Sequence, residues 1–197
     1  MREMIKMIVV LLVLSSFSGG LLAAIKNGTK DRIENQQLTF VKGPAIKSIL
    51  EGSSNDPIKD RFKIEDRDGI ERNFFIGRFN GEANTVAFQS GVKGCGGDIG
   101  LMFGVNTKDD KIIGVGLTTH SETPCVGSKA NTHPAFAAQF KGLSLIDTFK
   151  VKPDGGQVDA ISGATVTSRG VSMALTDAGK IYQRLKPKIE KQLKEFK

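Results

Sequence analysis

Asp159-Ala160-Ile161-Ser162-Gly163-Ala164-Thr165-Val166-Thr167-Ser168-Arg169-Gly170 carries the chain from a short extended run into its strongest helical pattern. Small residues, Gly163 and Ala164, sit among four hydroxyls, Ser162, Thr165, Thr167 and Ser168. Backbone N–H groups and hydroxyls at a helix start can converge on an anion, and the helix adds positive partial charge, so the loop suits a phosphate. No bulky side chain crowds Thr167, which leaves room for a nucleotide. Serine and threonine are also common helix N-caps, and a plain cap is the competing explanation. Spacing alone favours the plain cap.

Beyond the loop, Val171, Leu175, Ala178, Tyr182, Leu185 and Ile189 recur at spacings of four and three, the mark of an amphipathic helix. Pro187 is expected to kink or break it, leaving Lys186–Lys197 as a solvated basic tail. Before the loop, Gln157–Ile161 reads as a strand, Asp154-Gly155-Gly156 as a turn, and Leu143–Val151 as a further strand. Phe136 and Phe140, four apart, predict a short helix over Pro134–Lys141 with Pro134 in its first turn.

Two hairpins precede these. Phe74–Phe79 and Asn84–Gln89 flank Asn80-Gly81, a pair that tolerates positive φ and favours tight hairpin turns. Asp98–Val105 and Ile112–Thr118 flank a polar turn at Asn106–Asp110. Gly100 and Gly104, and Gly114 and Gly116, fall on one face of their strands. They predict close approach of another backbone or a flat ligand, or else a strongly twisted or bulged sheet. Gly43–Gly69 reads as loops around one short helix, Ala45–Leu50, and residues 26–42 as a short helix. The fold class expected is α+β, an antiparallel sheet flanked by helices, with one N-terminal transmembrane helix.

The 197 residues, 39% apolar and 25% charged, are those of a folded chain, and a net charge of +7 is spread along it. Tryptophan is absent and Tyr182 is the sole tyrosine, so a stacking surface would rest on phenylalanines; basic residues are not interleaved with aromatics at a regular spacing, and nucleic acid is not expected as a partner. Two cysteines, Cys95 and Cys125, and two histidines, His120 and His133, do not make a conventional zinc site, and no metal is expected. Met7–Ile25 runs 19 residues without a charge, long enough to span a hydrocarbon core of about 30 Å. A retained anchor over residues 1–25 with a domain over 26–197 is expected; a cleaved signal peptide is the alternative. Arg2 and Lys6 on one side, against Lys26, Lys30 and Arg32 on the other, leave orientation open.

Ser162-Gly163-Ala164-Thr165-Val166-Thr167, preceded by Asp159, resembles the flavinylation motif of membrane flavoproteins, in which FMN is joined through its phosphate to the last threonine. His120-Ser121-Glu122-Thr123-Pro124 with Gly127 and Lys129 resembles that family's segment near the flavin. Gly94-Cys95-Gly96-Gly97-Asp98-Ile99 and Gln139-Phe140-Lys141-Gly142 agree as well. The resemblance covers roughly residues 85–185 and is nearest to the G subunits of Rnf electron-transport complexes; the related C subunits of sodium-pumping NADH:quinone reductases carry the same motif. Cys125 stands where the family usually has glycine, and Cys95 where an aromatic is common.

The resemblance implies covalent FMN on Thr167, with Ser162, Gly163, Ala164, Thr165, Val166 and Ser168 forming the phosphate loop and Arg169 neutralising charge. It implies that His120, Glu122, Thr123 and Lys129 lie near the ring, and that Asp159 fixes the loop or is read by a flavin transferase. No residue is assigned a catalytic role. The implied setting is the inner membrane, N-terminus cytoplasmic and domain periplasmic, among integral-membrane subunits, with ferredoxin and NAD used at other subunits. Cys95 and Cys125 are expected either to pair or bind a redox centre, or to be independent buried thiols. A sodium-translocating quinone reductase subunit and a non-redox, membrane-anchored assembly module are the alternative functions.

Overall fold

The Asn80-Gly81 pair turns the chain as expected. Asn80 and Gly81 take φ of 53° and 80°, the positive values of a type I′ turn, whose twist matches the strands on either side. In the computed structural model, which describes residues 2–67, 69–93, 98–120 and 134–196, this hairpin is β2 (Glu71–Phe79) and β3 (Glu82–Lys93). The second hairpin is β4 (Asp98–Asn106) and β5 (Ile112–His120). A strand not expected from the sequence, β1 (Arg61–Glu65), pairs with β2, giving an antiparallel sheet of order β1-β2-β3-β4-β5. Its residues alternate, Phe62 and Ile64 buried and Lys63 and Glu65 exposed, so the period-two signal was present but sat inside a stretch dominated by loop residues.

The helices are α1 (Arg2–Gln36), α2 (Gly43–Ile49) after a π-helical turn at Gln37–Lys42, α3 (Pro134–Ala138) and α4 (Thr165–Glu195). The architecture is α+β. By contact the chain divides into Met1–Leu38 and Thr39–Lys197. The first unit is formed by α1, whose stretch Arg2–Lys30 is long and apolar enough to cross a membrane; its apolar side chains, Leu11 and Leu12 among them, are exposed.

In the second unit, one sheet face buries Phe74, Phe88 and Phe103 against Leu175, Tyr182 and Leu185 of α4. The phenylalanines form a ladder across neighbouring strands, with ring centroids 4.9 Å apart for Phe74 and Phe88 and 4.2 Å for Phe88 and Phe103. The other face explains three of the strand glycines, Gly104, Gly114 and Gly116. A Cβ on Gly104 would lie 2.6 Å from Ile49, and Cβ atoms on Gly114 and Gly116 would lie 3.5 Å from it. The close neighbour is α2, not a flat ligand, and β4 also shifts register at Gly100/Leu101 and Gly104/Val105, so the bulged-sheet alternative holds too.

Three expectations fail. Leu143–Val151 and Gln157–Ile161 are not strands: they make only the isolated bridges Lys111–Ser144 and Val151–Val158. Their apolar residues Leu145, Phe149 and Val158 are buried by looping over α4 rather than by pairing. Nor does α4 end at Pro187. Ile189 and Leu193 continue its buried face, and that packing holds the helix past the hydrogen bond that proline removes.

Polar anchors fix α4 on the sheet. The Asp66 side chain, fully buried after β1, accepts from Arg184 at 2.5 Å, from Arg72 at 3.4 Å and from the Arg67 N–H at 2.7 Å. Burial alone would raise its pKa, but these donors together hold it below the ordinary value. At the β4–β5 turn, Asp110 accepts from the Tyr182 hydroxyl at 2.7 Å and from Lys186 at 2.6 and 2.8 Å. Desolvation, reinforced by that carboxylate, pushes the Tyr182 phenol far above its usual range.

Candidate functional site

The hydroxyl-rich loop does not cap its helix in the ordinary way. Gly163 turns the chain at φ 79°, and the N-cap of α4 is Ala164, with no side-chain cap hydrogen bond. The plain-cap explanation therefore fails for this helix. Helix geometry gives the N–H groups of Thr165 and Val166 no carbonyl one turn back, and the N-cap side chain, the methyl of Ala164, makes no hydrogen bond to them.

Ser168 takes another role. Its Oγ accepts from the Ile161 N–H at 3.0 Å and donates to the Ala164 carbonyl at 3.0 Å, while its own N–H donates to that carbonyl at 3.0 Å. It closes residues 161–168 into a ring and is fully buried. Thr167, beside it, is 2% exposed, whereas Ser162, Gly163 and Val166 face solvent and Thr165 is half-buried.

Two flanking charges are committed. Arg169 makes a bidentate pair with Asp154, 2.6 Å from Nε and 2.7 Å from Nη2, which raises the guanidinium pKa and lowers that of the carboxyl. The arginine expected to neutralise a phosphate is thus bound to a carboxylate. Asp159 pairs with Lys152 at 2.6 Å. Its backbone is gripped by Gln139, whose Oε1 accepts from the Asp159 N–H at 2.8 Å and whose Nε2 donates to the Asp159 carbonyl at 3.3 Å. This positioning by Gln139 was missed from sequence: a glutamine amide that substitutes for a neighbouring strand leaves no periodic signal.

Between α3 and the loop lies an open groove of about 550 Å³, lined by Ala135, Phe136, Gln139, Asp159, Ala160, Ile161 and Ser162. The apolar part suits a planar aromatic ring, and the lining reaches the loop at Ser162, just before the start of α4, whose N–H groups suit an anion. The residues present therefore fit a flavin mononucleotide, phosphate towards the loop.

His120 is the last residue of β5, its backbone paired with Ile99. Glu122, Thr123, Lys129, Cys95 and Cys125 lie outside the described residues, as does the side chain of His120. The structure resumes at Pro134 in α3, whose Phe136 borders the groove.

Residues 94–180 match the family described as the FMN-binding domain, and FMN is the cofactor that this domain indicates. Over 179 residues the chain is 33% identical to the G subunit of the ion-translocating oxidoreductase complex of Methanosarcina acetivorans, covering 90% of this chain and 93% of that one. This chain belongs to the family of ion-translocating oxidoreductase G subunits. Another member, the G subunit of the Na(+)-translocating ferredoxin:NAD(+) oxidoreductase complex of Acetobacterium woodii, is 27% identical, with 93% of this chain and 94% of that one covered. Among solved structures, the C subunit of the Na(+)-translocating NADH-quinone reductase of Parabacteroides distasonis is similar with a TM-score of 0.50 and 28% identity, over 59% of this chain and 63% of that one. As a G subunit, the protein is a component of a redox complex, and its loop lies within the matched domain.

Proposed function

We propose that this chain is the membrane-anchored electron-transfer subunit of an ion-translocating ferredoxin:NAD oxidoreductase complex, carrying FMN joined by a phosphoester to Thr167. The observation that most supports this is the uncapped start of α4, where N–H groups and hydroxyls gather beside a groove within the FMN-binding region. When bound, FMN supplies one- and two-electron transfer.

Thr167 acts as a tether, its hydroxyl consumed in the link. Ser162, Thr165 and the N–H groups of Val166 and its neighbours hold phosphate oxygens, while Gly163 and Ala164 keep the approach clear. Phe136 and Ile161 offer apolar surface, and Ser168 keeps the loop in shape. His120, Glu122, Thr123 and Lys129 are proposed to tune the ring.

A separate flavin transferase makes the link. The other partners are the membrane subunits of the complex; ferredoxin and NAD, which the name of the Acetobacterium relative gives for its complex, are proposed to react at other subunits. Residues 1–25 are proposed as a single inner-membrane span with its N-terminus in the cytoplasm, and 26–197 as a periplasmic domain.

Co-expression with a flavin transferase is expected to give a band that stays fluorescent after denaturation, and Thr167→Ala is expected to abolish it. A fluorescent Thr167→Ala band defeats the assignment, and a wild-type band that never fluoresces favours an assembly module. The likeness to the quinone-reductase relative supports a second reading, separated from the first by whether ferredoxin or NADH reduces the flavin in membranes.

A further inference from the structure

The attachment point proposed above is closed off in the folded domain. Thr167 is 2% exposed, yet attachment requires its Oγ to line up with a phosphorus atom held by another protein. We propose that the flavin is attached to an opened form of the first turn of α4, and that Asp154, Arg169 and Ser168 are the latch whose release sets the rate; this rests on Thr167 being the attachment point.

The latch has an outer and an inner arm. Outside, the bidentate pair ties Arg169 of α4 to Asp154 in the turn before the loop. Inside, the Ser168 hydroxyl ties the helix to Ile161, on the other side of the loop. Opening the turn through Thr167 gives up these contacts and the Ser168–Ala164 backbone bond. The core contacts of Val171 and Leu175 stay in place. Helix ends open before cores do, and Gly163, at φ 79°, can leave its left-handed conformation without steric penalty.

In the step itself, a flavin dinucleotide supplies the activated phosphoryl group. The Thr167 Oγ attacks the phosphorus on the riboflavin side and an Oγ–P bond forms. The P–O bond of the pyrophosphate breaks, the adenosine monophosphate leaves, and the hydroxyl proton passes to a base of the transferase. No electrons change hands.

The test uses the full-length chain made without transferase, then mixed with purified transferase and flavin adenine dinucleotide at low salt. Flavin incorporation is followed by mass and in-gel fluorescence, and opening by amide exchange over residues 164–168. Asp154→Asn is expected to take up flavin about threefold faster, the scale of an exposed ion pair, and Ser168→Ala about tenfold faster. Asp154→Arg combined with Arg169→Asp restores the pair and the slow rate, which separates a latch from a direct contact between Arg169 and the transferase. Arg184→Gln, weakened away from the loop, keeps the wild-type rate.

Single variants that exchange faster but load no faster overturn the latch, as does a swapped pair that stays fast. Should Ser168→Ala fail to fold, Asp154→Asn at its exposed pair decides alone. Wild-type chain that takes up no flavin overturns the attachment itself rather than the latch.

Discussion

Two hydroxyls one residue apart serve different ends. Ser168 spends its hydroxyl on the loop, to Ile161 and Ala164; Thr167 is the proposed tether. Thr167→Ser, which keeps an oxygen at the same place, is expected to retain covalent flavin where alanine does not, and in-gel fluorescence distinguishes the two. Asp66 contributes stability that acid removes. Its pKa lies below the ordinary aspartate value of 3.8, so its contribution is fully present above that pH and is lost as pH falls through the folded-state value. Asp66→Asn is expected to cost about 2–3 kcal/mol at neutral pH, with wild-type and variant denaturation curves converging below pH 3.8. The loop was legible from sequence because Ser162, Gly163, Thr165 and Thr167 stand together just before the strongest helical pattern in the chain. Which hydroxyl faces inward was not, since that depends on Ile161 and Ala164 as folded.

At the scale of elements, α4 shows why local patterns succeed and fail. Its buried face was legible through Ile189, but Pro187 and the lysines around it obscured that the helix runs on and that Leu193 extends the same stripe. Gly179 lies inside this helix, where glycine is ordinarily unfavourable. A Cβ there would come 2.2 Å from the Leu145 carbonyl oxygen, so the helix passes the Leu143–Val151 segment backbone to side-chain face. Gly179→Ala is expected to destabilise the domain by about 1–3 kcal/mol, despite alanine's better helix propensity, as read by chemical denaturation. The hairpins were legible because Asn80-Gly81 and Asn106–Asp110 punctuate strands of adequate length. β1 was not, since five residues give alternation too little length to outweigh Pro57 and the glycines near it. Leu143–Val151 looked like a strand because its residues are apolar; burial beneath a loop uses the same residue types as burial in a sheet.

At the scale of the whole molecule, a long apolar helix and an FMN-binding domain of the G-subunit family occur in one chain. The proposed orientation makes the domain accessible from the periplasmic side. External protease is expected to shorten the chain in intact spheroplasts, leaving an amino-terminal fragment in the membrane; protection of the domain until the cells are lysed reverses the orientation.

The proposed membrane span of α1, together with the proposed covalent link, has a kinetic consequence. A carrier fixed to its membrane by such a helix, and carrying its flavin by a covalent bond, meets partners anchored in the same complex at an effective concentration set by chain length rather than by the number of molecules in solution. Electron transfer to and from those partners is then first order. Diluting membrane vesicles leaves its rate constant unchanged, whereas a domain released by cutting after α1 must find the same partners by collision, and its rate falls in proportion to dilution.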